Sequence, residues 1–172
     1  MHSGMTIDAQ GQDALAHAYR VLETVPDPEI PVLSLMDLGV IRSVKWLDGV
    51  LCVGVSPTYS GCPATVVIRT SIVEALQSAG FARVSAVDVL SPPWSSDWIS
   101  AQGRRKLLAY GIAPPAGSVA SKRSLLHADL PIACPRCGSV STEKISEFGS
   151  TPCKAHYRCS SCREPFDYFK CI

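Results

Sequence analysis

Two C-x2-C knuckles near the C-terminal end constrain this chain more than any other feature. They are Cys134-Pro-Arg-Cys137 and Cys159-Ser-Ser-Cys162, with 21 residues between them. A knuckle of this spacing turns sharply enough to aim both sulfurs at one ion, and two knuckles supply the four soft ligands of a tetrahedral Zn²⁺ site. The middle segment is slightly longer than the usual zinc pattern, and one extra turn in a hairpin absorbs the difference. Four protein ligands leave no open position for substrate, so the metal has a structural task. Residues 133–172 hold few aliphatic side chains and cannot bury enough surface to fold alone. A structural Zn²⁺ contributes about 10–16 kcal/mol in comparable modules, so this stretch is expected to be a zinc ribbon that unfolds without metal. Iron is the alternative occupant of such a thiolate cage, and would make it an electron carrier. Cys153, His156 and Cys171 are surplus to the four; they are either packed side chains or further ligands.

The rest of the chain reads as an ordinary globular domain. Of 172 residues, 47% are hydrophobic and 18% charged, which excludes a disordered chain. A net charge of +1 gives no field to attract nucleic acid or anionic membrane. No apolar run approaches the length of a membrane span. Residues 1–12 lack the order of a secretory signal and read as a flexible leader. The expected setting is cytoplasmic, with eight reduced cysteines suited to metal or thiol chemistry.

From Ala14, the positions Ala14, Leu15, Ala18, Val21, Leu22 and Val25 follow helical spacing. Pro26 and Pro28 end that helix near Val25. Asp27-Pro28-Glu29-Ile30-Pro31 then reads as an extended acidic strip, either a helix stop or a pair of carboxylates at fixed separation. After Asp37-Leu38-Gly39, two apolar runs flank Asp48-Gly49, a strong hairpin signal because both turn residues tolerate positive φ. Cys52 falls in the second run and is expected to be a small buried side chain. A second helix should present Ala64, Val67, Ile68, Ser71, Ile72, Ala75, Leu76 and Ala79 on one face and stop at Gly80. A strand over residues 83–89 follows, then a helix from about Ser96 to Tyr110, weakened by Gly103 and carrying Arg104, Arg105 and Lys106 as a solvated face. The fold class is α+β: a small two-layer α/β sandwich (helix, hairpin, helix, strand, helix) over residues 13–112, a linker over 113–132, and the ribbon.

Cys62 is the candidate functional thiol. It precedes Pro63, which suits a first helical position, and a helix N-terminus favours the thiolate. Gly61 lets a partner approach the backbone, and Thr58 can hydrogen-bond at the same mouth. The bland alternative is an inert cysteine at a helix start. No histidine is an obvious partner, and no phosphate loop or dinucleotide fingerprint is present. The chain is therefore not expected to be an enzyme by itself.

Residues 14–110, through Asp27-Pro28-Glu29, Asp37-Leu38-Gly39 and Thr58-Tyr-Ser-Gly-Cys62-Pro63, resemble the SufT-like (MIP-type) iron–sulfur assembly domain. Ser91-Pro-Pro-Trp-Ser-Ser-Asp-Trp98, Gly103-Arg-Arg-Lys106, Tyr110-Gly-Ile-Ala-Pro-Pro115, Ser146-Glu-Phe-Gly-Ser-Thr151, Tyr157-Arg-Cys159 and Glu164-Pro-Phe-Asp-Tyr-Phe-Lys-Cys171 resemble the D-subunit family of phenylacetyl-CoA epoxidases. The resemblance implies an accessory maturation role in aerobic phenylacetate degradation, with a transient iron or iron–sulfur cluster as cargo. Cys62 would match the assembly family's cysteine, and Asp27 and Glu29 its acidic motif. The implied partners are the oxygenase and reductase subunits and the iron–sulfur assembly machinery, with a homodimer also allowed. A permanent structural subunit is the competing reading. Nucleic-acid binding ranks last, because Lys144, Lys154 and Arg158 are scattered.

Overall fold

A computed structural model describes residues 9–59, 64–116 and 131–170. Helix α1 (Ala9–Leu22) begins four residues inside the expected leader. Its face lies as the spacing predicts: Ala18, Leu22 and Val25 are buried, with Ala14, Leu15 and Val21 packed beside them. The acidic strip departs from expectation. It bends rather than extends, because Asp27 Oδ1 accepts from the Glu29 and Ile30 backbone N–H groups at 2.9 and 2.8 Å. The chain then folds back, with Asp27 N donating to Leu33 O and Leu35 N to Val25 O.

Strands β1 (Ile41–Leu47) and β2 (Val50–Val55) pair antiparallel. Asp48 and Gly49 join them with φ of 49° and 73°, as their sequence predicts. Strand β3 (Val84–Asp88) lies parallel to β2, giving the order β1-β2-β3. Leu51, Val53 and Val55 are fully buried against helix residues, whereas Cys52 on the opposite face is only half-buried. In helix α2 (Ala64–Ser78), Ala64, Ile68, Ile72 and Leu76 face the core. Val67 is 51% exposed, because the buried stripe follows a strict i, i+4 row and leaves it outside.

The third helix is shorter than its sequence suggests. A 3₁₀ turn spans Ser96–Trp98, and α3 starts afresh at Ala101, running to Tyr110. Ser100 caps it by accepting from Gly103 N at 2.8 Å. Gly103 is a close-packing residue, since a Cβ there would sit 2.8 Å from Asp37 O. Of the basic trio only Arg105 is exposed. Lys106 bonds the Asp37 carboxylate, and Arg104 donates to Pro115 O and Ser96 O.

Strand β4 (Ile112–Ala113) pairs parallel with β7 (Pro165–Phe169), the last strand of the ribbon. The ribbon itself is an antiparallel meander of β5 (Thr142–Ser146), β6 (Lys154–Cys159) and β7, giving a second sheet ordered β4-β7-β6-β5. A loop over residues 147–153 joins β5 to β6. Cys153 and Phe169 of the ribbon enter the main core, and Trp94 meets the Phe169 ring at 6.0 Å.

Candidate functional site

The cysteine knuckles form one cluster. Sγ atoms of Cys134, Cys137, Cys159 and Cys162 all lie within 4.8 Å of one another. Cys134 and Cys162 are 3.7 Å apart, and Cys137 and Cys159 3.6 Å. A tetrahedron of 2.3 Å metal–sulfur bonds has edges of about 3.8 Å, so the donor set fits Zn²⁺. Turns place the sulfurs: Cys134 N donates to Ser139 O and Gly138 N to Cys134 O in one knuckle, and Cys159 N to Glu164 O in the other. The Cys162 backbone N–H, donating to Cys159 Sγ at 3.5 Å, pulls that thiol down to about 6, whereas, against the pull of the Glu164 N–H, burial and the neighbouring sulfurs push Cys162 up to about 12. Cys134 and Cys159 are buried while Cys137 and Cys162 face solvent.

Of the surplus residues, the two that are described, Cys153 and His156, do not join this cage. His156 Nδ1 pairs with Asp167 Oδ1 at 3.3 Å. Cys153 lies at the opposite end of β6, at the seam with the α/β domain, 4.0 Å from Glu29 Oε2. Cys171 lies outside the described residues.

At that seam, Asp27, Glu29, Thr58, Thr65 and Cys153 line one narrow cavity. The acidic motif and Thr58 thus line the same cavity. Cys62 lies outside the described residues; of the described residues nearest it in sequence, Ala64 lines this cavity, whereas Tyr59 lines a neighbouring one with Ser56 and Trp94. Burial pushes the Asp27 carboxyl up, against the pull of the Ile30 and Glu29 N–H groups and of Lys154. Burial, then the neighbouring Asp27 charge, raises Glu29. The Cys153 thiol is also raised, by burial first and by Glu29 and Asp27 further, although Thr151 Oγ1 lies 3.0 Å from its sulfur. Lys154 is 3% exposed, with its ammonium 3.9 Å from Asp167 Oδ2. Sequence reasoning missed Cys153 and Lys154 here because both belong to the ribbon, more than a hundred positions from the acidic motif.

Asp37-Leu38-Gly39 has a different task. Ser34 and Asp37 cap one another, Ser34 N donating to Asp37 Oδ2 and Asp37 N to Ser34 Oγ. Burial alone would raise the Asp37 carboxyl. Lys106, the Ser34 N–H and the Ser100 hydroxyl hold it below its usual range. Gly39, at φ +72°, faces Trp98 so closely that a Cβ would lie 2.5 Å from Trp98 O. Leu38 lines the cavity, whereas Asp37 and Gly39 brace the elements around it.

Known proteins match this chain along most of its length. A protein of Escherichia coli (strain K12), named as the D component of 1,2-phenylacetyl-CoA epoxidase, is 52% identical over 156 residues, which cover 90% of this chain and 91% of that one. The chain belongs to the PaaD family. Within it, residues 15–89 match the family model described as iron–sulfur cluster assembly protein, and residues 118–170 the PaaD zinc beta ribbon domain. An Fe-S protein maturation auxiliary factor of Porphyromonas gingivalis (strain ATCC BAA-308 / W83) is 33% identical over 90 residues, covering 51% of this chain and 85% of that one. The crystal structure of a domain of unknown function, DUF59, from Bacillus anthracis covers 58% of this chain and 97% of its own at 23% identity, with a TM-score of 0.54, and shares the fold. Among the described residues no helix is long and apolar enough to cross a membrane.

Proposed function

We propose that this chain is an accessory, non-catalytic subunit that helps assemble an iron or iron–sulfur centre in the oxygenase or reductase of a phenylacetyl-CoA epoxidase. The observation that carries this reading is the convergence of the acidic turn, Thr58 and the start of α2 on one cavity, in a domain matching the iron–sulfur assembly model. Cys62, placed between Thr58 and Ala64 in sequence, supplies the thiolate that receives the cargo, and the carboxylates of Asp27 and Glu29 favour a cation beside it. In the ribbon, Zn²⁺ held by Cys134, Cys137, Cys159 and Cys162 supplies folding energy. The ribbon presents Val140, Ile145 and Phe148, each more than half exposed, as a docking surface for the client.

Co-expression of the epoxidase subunits with wild type, with Cys62→Ala, or without this chain tests the reading. The expected result is full iron content and activity with wild type only. Iron-replete, active epoxidase in the absence of the chain overturns it. The exposed apolar side chains of the ribbon also favour a permanent structural subunit. That reading expects stable co-purification and iron loading that ignores Cys62→Ala.

A further inference from the structure

The maturation reading makes no use of Ser56, the residue that follows β2. Ser56 is 1% exposed. Its hydroxyl oxygen is buried and has no hydrogen-bond partner among the described residues, although a buried polar group normally has one. The backbone of Ser56 is fixed independently, its N–H donating to Val40 O at 2.8 Å. A dry, unpaired hydroxyl costs stability, and alanine at this position would avoid the cost. The orphaned hydroxyl therefore points to an occupant beside it.

Ser56 lines an open cleft of ≈ 290 Å³, at the lower end of small-ligand sites, which start at about 300 Å³. With the Ser56 N–H spent on Val40 O, the hydroxyl is the donor this residue can offer there. Pro57, Pro93, Leu90 and Trp94 supply apolar walls, and the polar lining side chains, Thr58 among them, carry hydroxyls. One wall is rigid: Trp94 is buried, its indole N–H donates to Leu38 O at 3.1 Å, and the Phe169 ring packs on it at 6.0 Å. None of the described lining residues is charged. An ion would lose its hydration there without gaining a counter-charge, so the occupant is neutral. Flat faces of proline and indole suit a flat aromatic ring. The Ser56 hydroxyl calls for one hydrogen-bonding group at the end of that ring.

We propose that this cleft binds a neutral small molecule consisting of an aromatic ring and one hydrogen-bonding tip. The Ser56 hydroxyl meets the tip, and Trp94, Pro57 and Pro93 hold the ring. Pro57 and Thr58 also line the acidic cavity. A bound molecule therefore touches the segment that leads, in sequence, to Cys62. The Asp27 and Glu29 carboxylates on the far side of that segment disfavour an anionic ligand further. Binding at the cleft goes beyond the maturation reading and does not depend on it.

The test is titration of the full, zinc-loaded chain with benzyl alcohol, toluene and benzoate, probes that share a ring and differ at the tip. Binding is read in ¹H–¹⁵N NMR spectra from the Trp94 indole N–H and the amides of Thr58 and Leu90. The expected result is a saturable shift of these signals with benzyl alcohol. Its affinity should exceed that of toluene by about fivefold and that of benzoate by about tenfold. Ser56→Ala should lower the benzyl alcohol affinity to that of toluene. The same variant should raise the thermal midpoint of the unliganded chain, because the unpaired hydroxyl is gone. No saturable shift, or equal affinity for benzoate, overturns the proposal. So does full affinity in Ser56→Ala, which would leave the hydroxyl to water alone. Should Ser56→Ala fold poorly, the wild-type comparison decides, and equal affinities for benzyl alcohol and toluene overturn the site. If the cleft binds as expected while co-expressed epoxidase matures without this chain, the site stands and the maturation reading falls.

Discussion

Asp37 ties its own turn to helix α3 through one carboxylate. It accepts from the Ser34 N–H, the Ser100 hydroxyl and the Lys106 ammonium, and its own carbonyl accepts from Ser100 N. Hydrogen bonds to a charged group are worth more than neutral ones, so Asp37→Ala should cost about 3 kcal/mol in urea denaturation. The pH dependence follows from its depressed pKa. The folded state holds the carboxylate more strongly than the unfolded chain does, so the contribution is fully present above the ordinary carboxylate value, about 3.9. It is lost as the pH falls through the lower folded value. The stability gap between wild type and Asp37→Asn should therefore stay constant near neutrality and shrink below about pH 4. A gap that widens on acidification would contradict the assignment.

At the level of elements, the sequence was most legible where a local rule acts alone. Asp48-Gly49 specified its hairpin because both residues adopt positive φ in the turn, and the stripe of Ile68, Ile72 and Leu76 specified the buried side of α2. It was least legible where a tertiary contact overrides the local pattern. Between Ser96 and Tyr110 the helical periodicity is continuous enough to read through, yet Ser100 is bonded to Asp37 and restarts the helix there. The acidic strip failed for a similar reason: prolines suggest extension, but the Asp27 side chain closes a turn on its own backbone. The knuckle spacing foretold the sulfur cluster, whereas nothing local to Cys153 announces a carboxylate across the seam. Strands β5, β6 and β7 enclose only a small core around Ala155, Phe166 and Tyr168, so metal removal should act on them first. A zinc chelator is expected to abolish the strand signal of the ribbon in circular dichroism and leave most of the helical signal, with recovery on adding zinc. Retention of the strand signal in metal-free protein would refute a structural role for the ion.

Across the whole molecule, the seam between the two halves is a core rather than a contact of surfaces. Phe169 is fully buried among residues of the α/β domain, beside Trp94, whose indole N–H donates to Leu38 O at 3.1 Å. β4 extends the ribbon sheet from the other side. Phe169→Ala should therefore cost about 3–5 kcal/mol and split thermal unfolding into two transitions, one of which follows zinc content. A single transition with an unchanged midpoint would show that the halves are independent.

The parallel pairing of β4 with β7 has a consequence for the order of events during synthesis. β7 is the last strand of the described chain, so a chain still emerging from the ribosome has already made the acidic turn but not the strand that carries Phe169 to it. The turn stays without its sulfur partner until β6 follows, and the ribbon folds only once its ion arrives. Metal supply would then act as a checkpoint on newly made copies, and a copy starved of zinc would never complete the seam.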